Sequence, residues 1–300
     1  GTGDRADDPA IWVHPTDVSR SLILGTNKDE GLHVYALDGS ERAFLPVGMV
    51  NNVDVRGNLA VASNDQVNGL SWFAIDPDTD TVTHIGDTPV TTVEPYGVCS
   101  GLLDGVYIAG VTYKTGEVEL WAAPQGDDGM IAPSLMRTVT LSSQLEGCVF
   151  DDAASRLFIG EEGKGVWSLD LGGPASTPQP VDMISDGNGL KADVEGISLW
   201  LGEGQAGYLV VSAQSADRFV IYDRQPPHAF RGAITVSAST DGTIDAVSHT
   251  DGLDVTSVAL PGYPRGLLVV QDDANPSKGV DQNFKLVDWA GIERALGLAQ

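Results

Sequence analysis

The chain of 300 residues sets 42 Asp and Glu against 17 Lys and Arg, a formal net charge of −25 at pH 7. Such a surface repels nucleic acid, whose binding needs basic neutralisation, and anionic lipid as well. Hydrophobic residues make up 42%, enough for a sizeable core, yet no run approaches the roughly eighteen apolar residues of a membrane span.

The length allows two domains, but a single all-β barrel or propeller also reaches it. No signal peptide is visible. The chain starts at Gly1, almost on top of its first motif, as a mature or trimmed form would. That motif is Asp7-Asp8-Pro9-Ala10-Ile11-Trp12, two adjacent carboxylates before a proline and an apolar strand start. Asn51-Asn52-Val53-Asp54-Val55-Arg56 repeats the idea. Adjacent carboxylates repel unless a cation lies between them, and calcium takes six to eight oxygen ligands from flexible loops.

Short strands with turn punctuation follow. Asp-Gly recurs at 38, 104, 128, 186, 241 and 251, a dipeptide suited to type I′ hairpins. Gly31-Leu-His-Val-Tyr35 is echoed by Gly69-Leu-Ser-Trp-Phe73, Gly116-Glu-Val-Glu-Leu-Trp121, Gly165-Val-Trp167 and Arg218-Phe-Val-Ile-Tyr222. The aromatics at 35, 73, 121, 167 and 222 are 38, 48, 46 and 55 residues apart, the period of a propeller blade. A second strand precedes each echo, at 21–25, 59–63, 106–111, 157–160 and 208–213, and a sixth lies at 266–270. These strands end in polar residues: Asn27-Lys28, Asn64-Asp65, Tyr113-Lys114, Glu161-Glu162, Gln214 and Gln271-Asp272-Asp273. Six such units predict one all-β domain over 1–300, a six-bladed β-propeller of mostly four-stranded antiparallel blades. A short helix is predicted from Trp289 to Leu298. Equivalent loops of a propeller converge on one face beside the central channel, so the scattered strand ends become one site.

Asp7, Asp8, Asp54, Glu146, Glu161, Asp193, Glu195, Asp251 and Asp254 are the acidic members of that site. Any single Asp-Gly is more often a turn. Strand-initial carboxylates recurring beyond turn needs point, as a group, to metal ligation. Asp193 and Glu195 fall on the same side of a strand. Asp272-Asp273 is balanced between a turn and a peripheral calcium. Lys28 and Lys114 are either solvated lysines or phosphate contacts, and Tyr96 is either a phosphate donor or a half-buried core tyrosine. Cys99 and Cys148 read as small buried hydrophobes, with a disulfide left open because spacing does not decide pairing. The five histidines show no ligand spacing, and no nucleophile elbow, P-loop or dinucleotide fingerprint is present.

Asp4-Arg5-Ala6-Asp7-Asp8-Pro9-Ala10-Ile11-Trp12 and Asn51-Asn52-Val53-Asp54-Val55-Arg56 resemble the two signature motifs of the β-propeller (alkaline) phytases. Thr26-Asn27-Lys28, Gln144-Leu145-Glu146-Gly147, Glu161-Glu162, Asp193-Val194-Glu195-Gly196, Thr250-Asp251-Gly252-Leu253-Asp254 and Asn283-Phe284-Lys285 match in family order. The resemblance spans essentially the whole chain. It implies a six-bladed propeller with several Ca2+ ions and stepwise release of orthophosphate from myo-inositol hexakisphosphate, taken as its calcium complex. It implies calcium ligation by Asp7, Glu146, Glu161, Asp193, Glu195 and Gln214. Asp8 and the Asn52–Asp54 stretch make another calcium site, and Asp251 and Asp254 line or support the region. Lys28, Tyr96, Lys114 and Arg5 are the implied substrate contacts, and Glu161 is assigned to orient the attacking water. A secreted or periplasmic monomer is expected.

Two departures stand out. Ser63-Asn64-Asp65 replaces the family's common Ser-Asn-Arg, and Lys28-Asp29 replaces a lysine pair. Family members also close the ring by strand pairing with a segment before the first motif. The sequence begins at Gly1, so either closure rests on other contacts or the chain is trimmed ahead of this motif. Two rival readings stay open: a calcium-dependent propeller hydrolase of lactonase type, and a non-catalytic propeller that binds phosphorylated ligands.

Overall fold

A computed structural model describes residues 5–124, 131–173, 176–275 and 282–298. Its strands form six sheets, each a blade. Blade 1 holds β1 (Ala6–Trp12), β2 (Leu22–Asn27), β3 (Gly31–Ala36) and β4 (Glu41–Leu45). Blade 2 holds β5 (Val50–Arg56), β6 (Leu59–Asn64), β7 (Gly69–Asp76) and β8 (Thr81–Pro89). Blade 3 holds β9 (Pro95–Leu103), β10 (Val106–Tyr113), β11 (Glu117–Ala122) and β12 (Ser134–Thr140). Blade 4 holds β13 (Leu145–Asp151), β14 (Arg156–Glu161), β15 (Gly165–Asp170) and β16 (Gln179–Met183). Blade 5 holds β17 (Val194–Leu201), β18 (Gly207–Ala213), β19 (Arg218–Asp223) and β20 (Phe230–Ile234). Blade 6 holds three strands among the described residues, β21 (Leu253–Thr256), β22 (Leu267–Asp272) and β23 (Asn283–Asp288). Helix α1 (Trp289–Leu296) follows, capped by the Asp288 carboxylate and ended by Gly297 at φ +61°. The six-bladed fold expected from the sequence is the one observed.

The core is divided into six apolar clusters, one in each space between neighbouring blades. Strand alternation produces this division. In β2, Leu22 and Leu24 face blade 2, whereas Ile23 between them faces blade 6. A one-residue slip would exchange the two faces. The first strand of each blade is buried on both sides and so reads as a nearly continuous apolar run, as in Ala10-Ile11-Trp12.

Those innermost strands share an irregularity near their start. In blades 1 to 5 the register between first and second strands shifts, between Ala6 and Pro9, Val50 and Val53, Pro95 and Val98, Leu145 and Cys148, and Val194 and Ile197. The extra residues are Asp7-Asp8, Asn51-Asn52, Tyr96-Gly97, Glu146-Gly147 and Glu195-Gly196. A bulge re-aims side chains, and here it turns the first of each pair to the channel mouth. The bulged amides find hydroxyls of the second strand: Thr26 Oγ1 accepts from Asp8 N at 2.9 Å, and Ser63 Oγ from Asn52 N at 3.1 Å. The second residue is glycine where the next blade presses close. A Cβ on Gly97 would lie 2.0 Å from the Glu146 carbonyl oxygen, and one on Gly147 2.1 Å from that of Glu195.

Blade 6 meets blade 1 through Gly252 N to Asp7 O at 3.0 Å and Ile11 N to the Asp254 carboxylate at 2.8 Å. The Gln282 side-chain oxygen accepts from Arg5 N and Ala6 N at 2.6 and 2.9 Å. Three sequence expectations need correction. Cys99 and Cys148 are not two separate buried thiols: a disulfide joins them across blades 3 and 4, with Cα atoms 5.6 Å apart. Of the Asp-Gly pairs, Asp104-Gly105 has both residues at positive φ, as a type I′ turn requires. Gly252 has no positive φ and lies against the Asp8 side chain, while Asp128-Gly129 falls outside the described residues. The second strands of blades 1, 2, 3, 4 and 6 run two residues, or one, past their predicted ends, because Asn27 pairs with Gly31, Asn64 with Gly69 and Glu161 with Gly165.

The disulfide closes a sequence separation of 49 residues. Chain entropy then puts its contribution at about 4 kcal/mol. A Cys99→Ala/Cys148→Ala double variant is expected to unfold at a lower urea midpoint with a somewhat larger m-value, because the freed unfolded chain exposes more surface; an unchanged midpoint would remove the disulfide from the stability argument.

Candidate active site

The six blades carry an equivalent position immediately after the second strand: Lys28, Asp65, Lys114, Glu162, Gln214 and Asp273. In blades 1, 2, 4, 5 and 6 its amide donates to the loop that leads into the first strand, at Arg5, Met49, Gln144, Asp193 and Ser248. This ring and the bulge ring of Asp7, Asn51, Tyr96, Glu146 and Glu195, joined by Asp251, lie at the same end of the strands.

Lys28 Nζ is 3.2 Å from Asp7 Oδ1 and 3.6 Å from Asp251 Oδ2. The Gln214 amide donates to Asp251 Oδ1. The Lys114 ammonium lies 4.1 Å above the Tyr96 ring, a cation–π contact that fixes both side chains. Carboxylate oxygens of Glu146, Glu162 and Glu195 lie within 4.8 Å of one another. At an effective dielectric constant near 20, each such pair repels by roughly 3 kcal/mol when both are ionised.

The electrostatic consequence runs through the whole mouth. Burial first, opposed by Lys28 and reinforced by Glu146 and Asp251, holds the Asp7 carboxyl well above its ordinary range. Burial and the Glu195 carboxylate raise Glu146 strongly, and burial with Glu162 and Asp251 nearby pushes Glu195 up to about 8. Burial also raises Glu162, against the hydrogen bond from Gln144 at 2.5 Å. Tyr96 is pushed far up by burial and then by Glu146, Asp7 and Glu195, so its hydroxyl keeps its proton and can donate.

Deeper in the channel, Asp8, Asn52, Asp54 and Asp254 line a cavity of about 30 Å³. Asp8 Oδ2 accepts from Val53 N at 3.0 Å, Asp54 from Ser100 N at 2.5 Å, and Asp254 from Ser198 Oγ at 2.7 Å. Each of these bonds crosses to another blade. Asp54 and Asp254 therefore staple the ring as well as line the channel, and burial raises Asp254 to about 7.

Two sequence assignments fall outside this mouth. Glu161 ends β14 with its side chain on the opposite side from that of Glu162. Its carboxylate accepts from Ser142 Oγ and Ser143 Oγ, both at 2.7 Å, and from Trp167 Nε1 at 2.9 Å. Glu162 takes the place in the acidic group. The signal was in the repeat, since Glu162 is the register equivalent of Lys28, Lys114 and Gln214. Arg5 pairs with Asp29 and Glu30, each at 3.2 Å, and lines a groove between blades 1 and 6. Asp193 stands beside Glu162, raising its pKa, and passes its carbonyl to Gln214 N. Asp272, balanced earlier between turn and calcium, is answered by Lys285 Nζ.

The residues fit a hard divalent cation. Asp7 Oδ2, Glu195 Oε2 and Asn52 Oδ1 are buried without a hydrogen-bond partner, and Asp7 Oδ1 has the Lys28 ammonium at 3.2 Å. Buried oxygens left this way cost free energy unless something positive meets them. Every donor is oxygen, the preference of calcium or magnesium rather than of zinc or copper.

A family model described as Phytase matches residues 1–300. The 3-phytase of Bacillus subtilis (strain 168) is 36% identical over 316 residues, covering 98% of this chain and 82% of that protein. A chain in the crystal structure of the Nidogen/Laminin complex is similar in fold, with a TM-score of 0.56 at 11% identity, over 83% of this chain and 84% of that one. That likeness speaks for the propeller alone. The family match over residues 1–300 and the 36% identical 3-phytase agree: this chain belongs to the phytase family.

Proposed function

We propose that this mouth releases orthophosphate from phytate, and that it needs calcium to do so. The observation that carries the reading is the set of buried, unanswered carboxylate oxygens beside Lys28, Lys114 and Tyr96. A polyanion does not approach such a surface unaided. Asp7, Glu146, Glu162, Glu195 and Asp251 would hold the calcium, with Gln214 oriented on Asp251. When bound, calcium neutralises charge on the transferred phosphoryl group and makes bound water more acidic. Asp8, Asn52 and Asp54 supply oxygens for a second, deeper site.

The chain's own side chains then do the rest. Lys28 and Lys114 bind phosphate oxygens from opposite sides of blade 2. The Tyr96 hydroxyl, kept protonated, donates to a third oxygen. Glu162 orients the attacking water and accepts its proton; Glu161 cannot, because serines and Trp167 already occupy its oxygens. In-line attack forms the new P–O bond as the bond to the inositol oxygen breaks; that oxygen leaves with the bonding pair and takes a proton from solvent water, and no covalent enzyme intermediate is required. Orthophosphate release from calcium phytate, with and without chelator, tests the reading. A lactonase would release no phosphate, and a binding module would take up phytate without turnover. The disulfide supports an oxidising, extracytoplasmic location.

Asp65 occupies the blade 2 position between the two lysines, with its Oδ2 accepting from Asn51 Nδ2 at 3.1 Å. Its charge opposes a phosphate at that corner. Asp65→Arg is expected to lower KM for phytate about tenfold at low ionic strength, the result of roughly 1–2 kcal/mol of screened attraction. The gain should shrink in 0.5 M salt. An unchanged KM would place the bound phosphates away from blade 2.

A further inference from the structure

In each blade the last residue of the second strand and a residue two beyond its partner on the third strand stand diagonally opposed. Five blades put a polar pair there: Asn27 with His33, Asn64 with Ser71, Tyr113 with Glu119, Glu161 with Trp167 and Asp272 with Lys285. Each pair is in hydrogen-bond contact, at 3.5, 2.9, 3.0 and 2.9 Å for the first four. Blade 5 carries Ala213 and Val220 instead. Such diagonal neighbours are within reach of long side chains.

In four blades the pair also grips the loop entering the first strand. Asn64 Nδ2 donates to Val47 O at 2.8 Å, Thr92 N and Oγ1 donate to Glu119 at 3.0 and 2.8 Å, and Ser248 N donates to Asp272 at 2.8 Å. Blade 4 holds its loop with Ser142 N at 3.2 Å and the hydroxyls of Ser142 and Ser143 at 2.7 Å, all on Glu161 Oε1. Glu161 is fully buried, and Lys164 Nζ stands 3.4 Å from it. Burial would raise its pKa, but the serines, Lys164 and Trp167 outweigh that and leave it below the usual range.

The loop it grips is unusual in what it delivers. Gln144 follows directly: its carbonyl accepts from Glu162 N at 3.1 Å, and its side-chain amide holds Glu162 Oε1 at 2.5 Å. Two residues further on is Glu146. We propose that Glu161 is a positioning residue, which sets the spacing of Glu146 and Glu162 at the mouth through Ser142 and Ser143. This rests on reading the mouth as the reactive site. Glu161 touches no substrate; it acts through a loop, as groups behind metal ligands commonly do, at a cost of about 10–100-fold when removed.

Three variants separate positioning from simple support. Ser142→Ala/Ser143→Ala removes the two hydroxyl bonds, leaves the Ser142 amide on Glu161 and keeps the strand pair. Trp167→Phe breaks the strand bond and keeps the loop. Ser142→Thr/Ser143→Thr retains both hydroxyls. The alanine pair is expected to lose at least tenfold in kcat with KM within twofold, and to bind calcium alone about tenfold more weakly by calorimetry. The threonine pair should recover both quantities, and Trp167→Phe should lower only the melting midpoint. Equal kcat loss in Trp167→Phe and the alanine pair, or none in the alanine pair, overturns the proposal. Should the wild type release no phosphate, the functional reading fails alone, and the calcium-binding arm still decides: weakening confined to the serine variant supports positioning, and unchanged affinity refutes it.

Discussion

EGTA in excess will abolish phosphate release and lower the melting midpoint of the protein. Both effects have one source. Asp7, Glu146 and Glu195 are buried, and Glu146, Glu162 and Glu195 hold oxygens within 4.8 Å of one another. Without a cation their charges cannot coexist at that spacing, so protons replace the metal. A mouth of neutral acids holds no calcium and attracts no phosphate, and a fall of a hundredfold or more is expected. The stability loss follows from linkage: an ion at a hundred times its dissociation constant contributes about 2.7 kcal/mol, or roughly 5 °C for a chain of this size. The pH dependence has a definite sign. Glu195 is raised to about 8 and Asp254 to about 7, while Asp7, Asp8 and Glu146 are also raised. Groups raised by folding leave the fold intact at low pH and destabilise it as pH climbs from the unfolded carboxylate range through those values. Stability in EGTA should therefore fall between about pH 4 and pH 8, and calcium should flatten the decline. Melting curves across that range, with and without calcium, would expose an error: parallel curves would mean that these carboxylates do not meet the ion.

Glu162→Gln is expected to reduce kcat by about 10²–10³-fold, the usual loss when a preorganised charge at a reacting centre is removed. The amide keeps the shape and can still meet Gln144, so the fold should hold. It can neither accept the proton of the attacking water nor supply a charged oxygen to the acidic group. The comparison with Glu161→Gln is the informative one, because the two residues are adjacent and chemically identical. Glu161→Gln should cost about 10–100-fold through its loop and should lower the melting midpoint more, since Glu161 is fully buried in a hydrogen-bonded network. The reverse ranking of the two kcat losses would return the water-orienting role to Glu161. Steady-state kinetics with circular dichroism melts on both variants would settle the order.

The neighbouring glutamates also show where reading the chain stops. Strand ends with polar residues were visible at every blade, and the six strands that carry them gave the number of blades. Which of Glu161 and Glu162 faces the channel depends on a strand's last hydrogen bond. The pairing of Glu161 with Gly165 extends β14 by one residue and keeps Glu161 on the side of Leu157 and Ile159, against Trp167, which leaves Glu162 to the channel. Arg5 lay within the first motif, yet Asp29 and Glu30 draw it into the groove beside blade 6.

From residue order alone came the all-β propeller, its blade count and the strand-end acids of the mouth, because period-2 burial and a blade-length repeat are local properties of a chain. The Cys99–Cys148 bond, the ring of bulges and the exchange of Glu162 for Glu161 were decided in three dimensions. The disulfide depends on how closely one blade's first strand approaches the next, a distance set by the closed ring. The bulges and the glutamate exchange depend on the pairing register within a blade, which no single segment fixes.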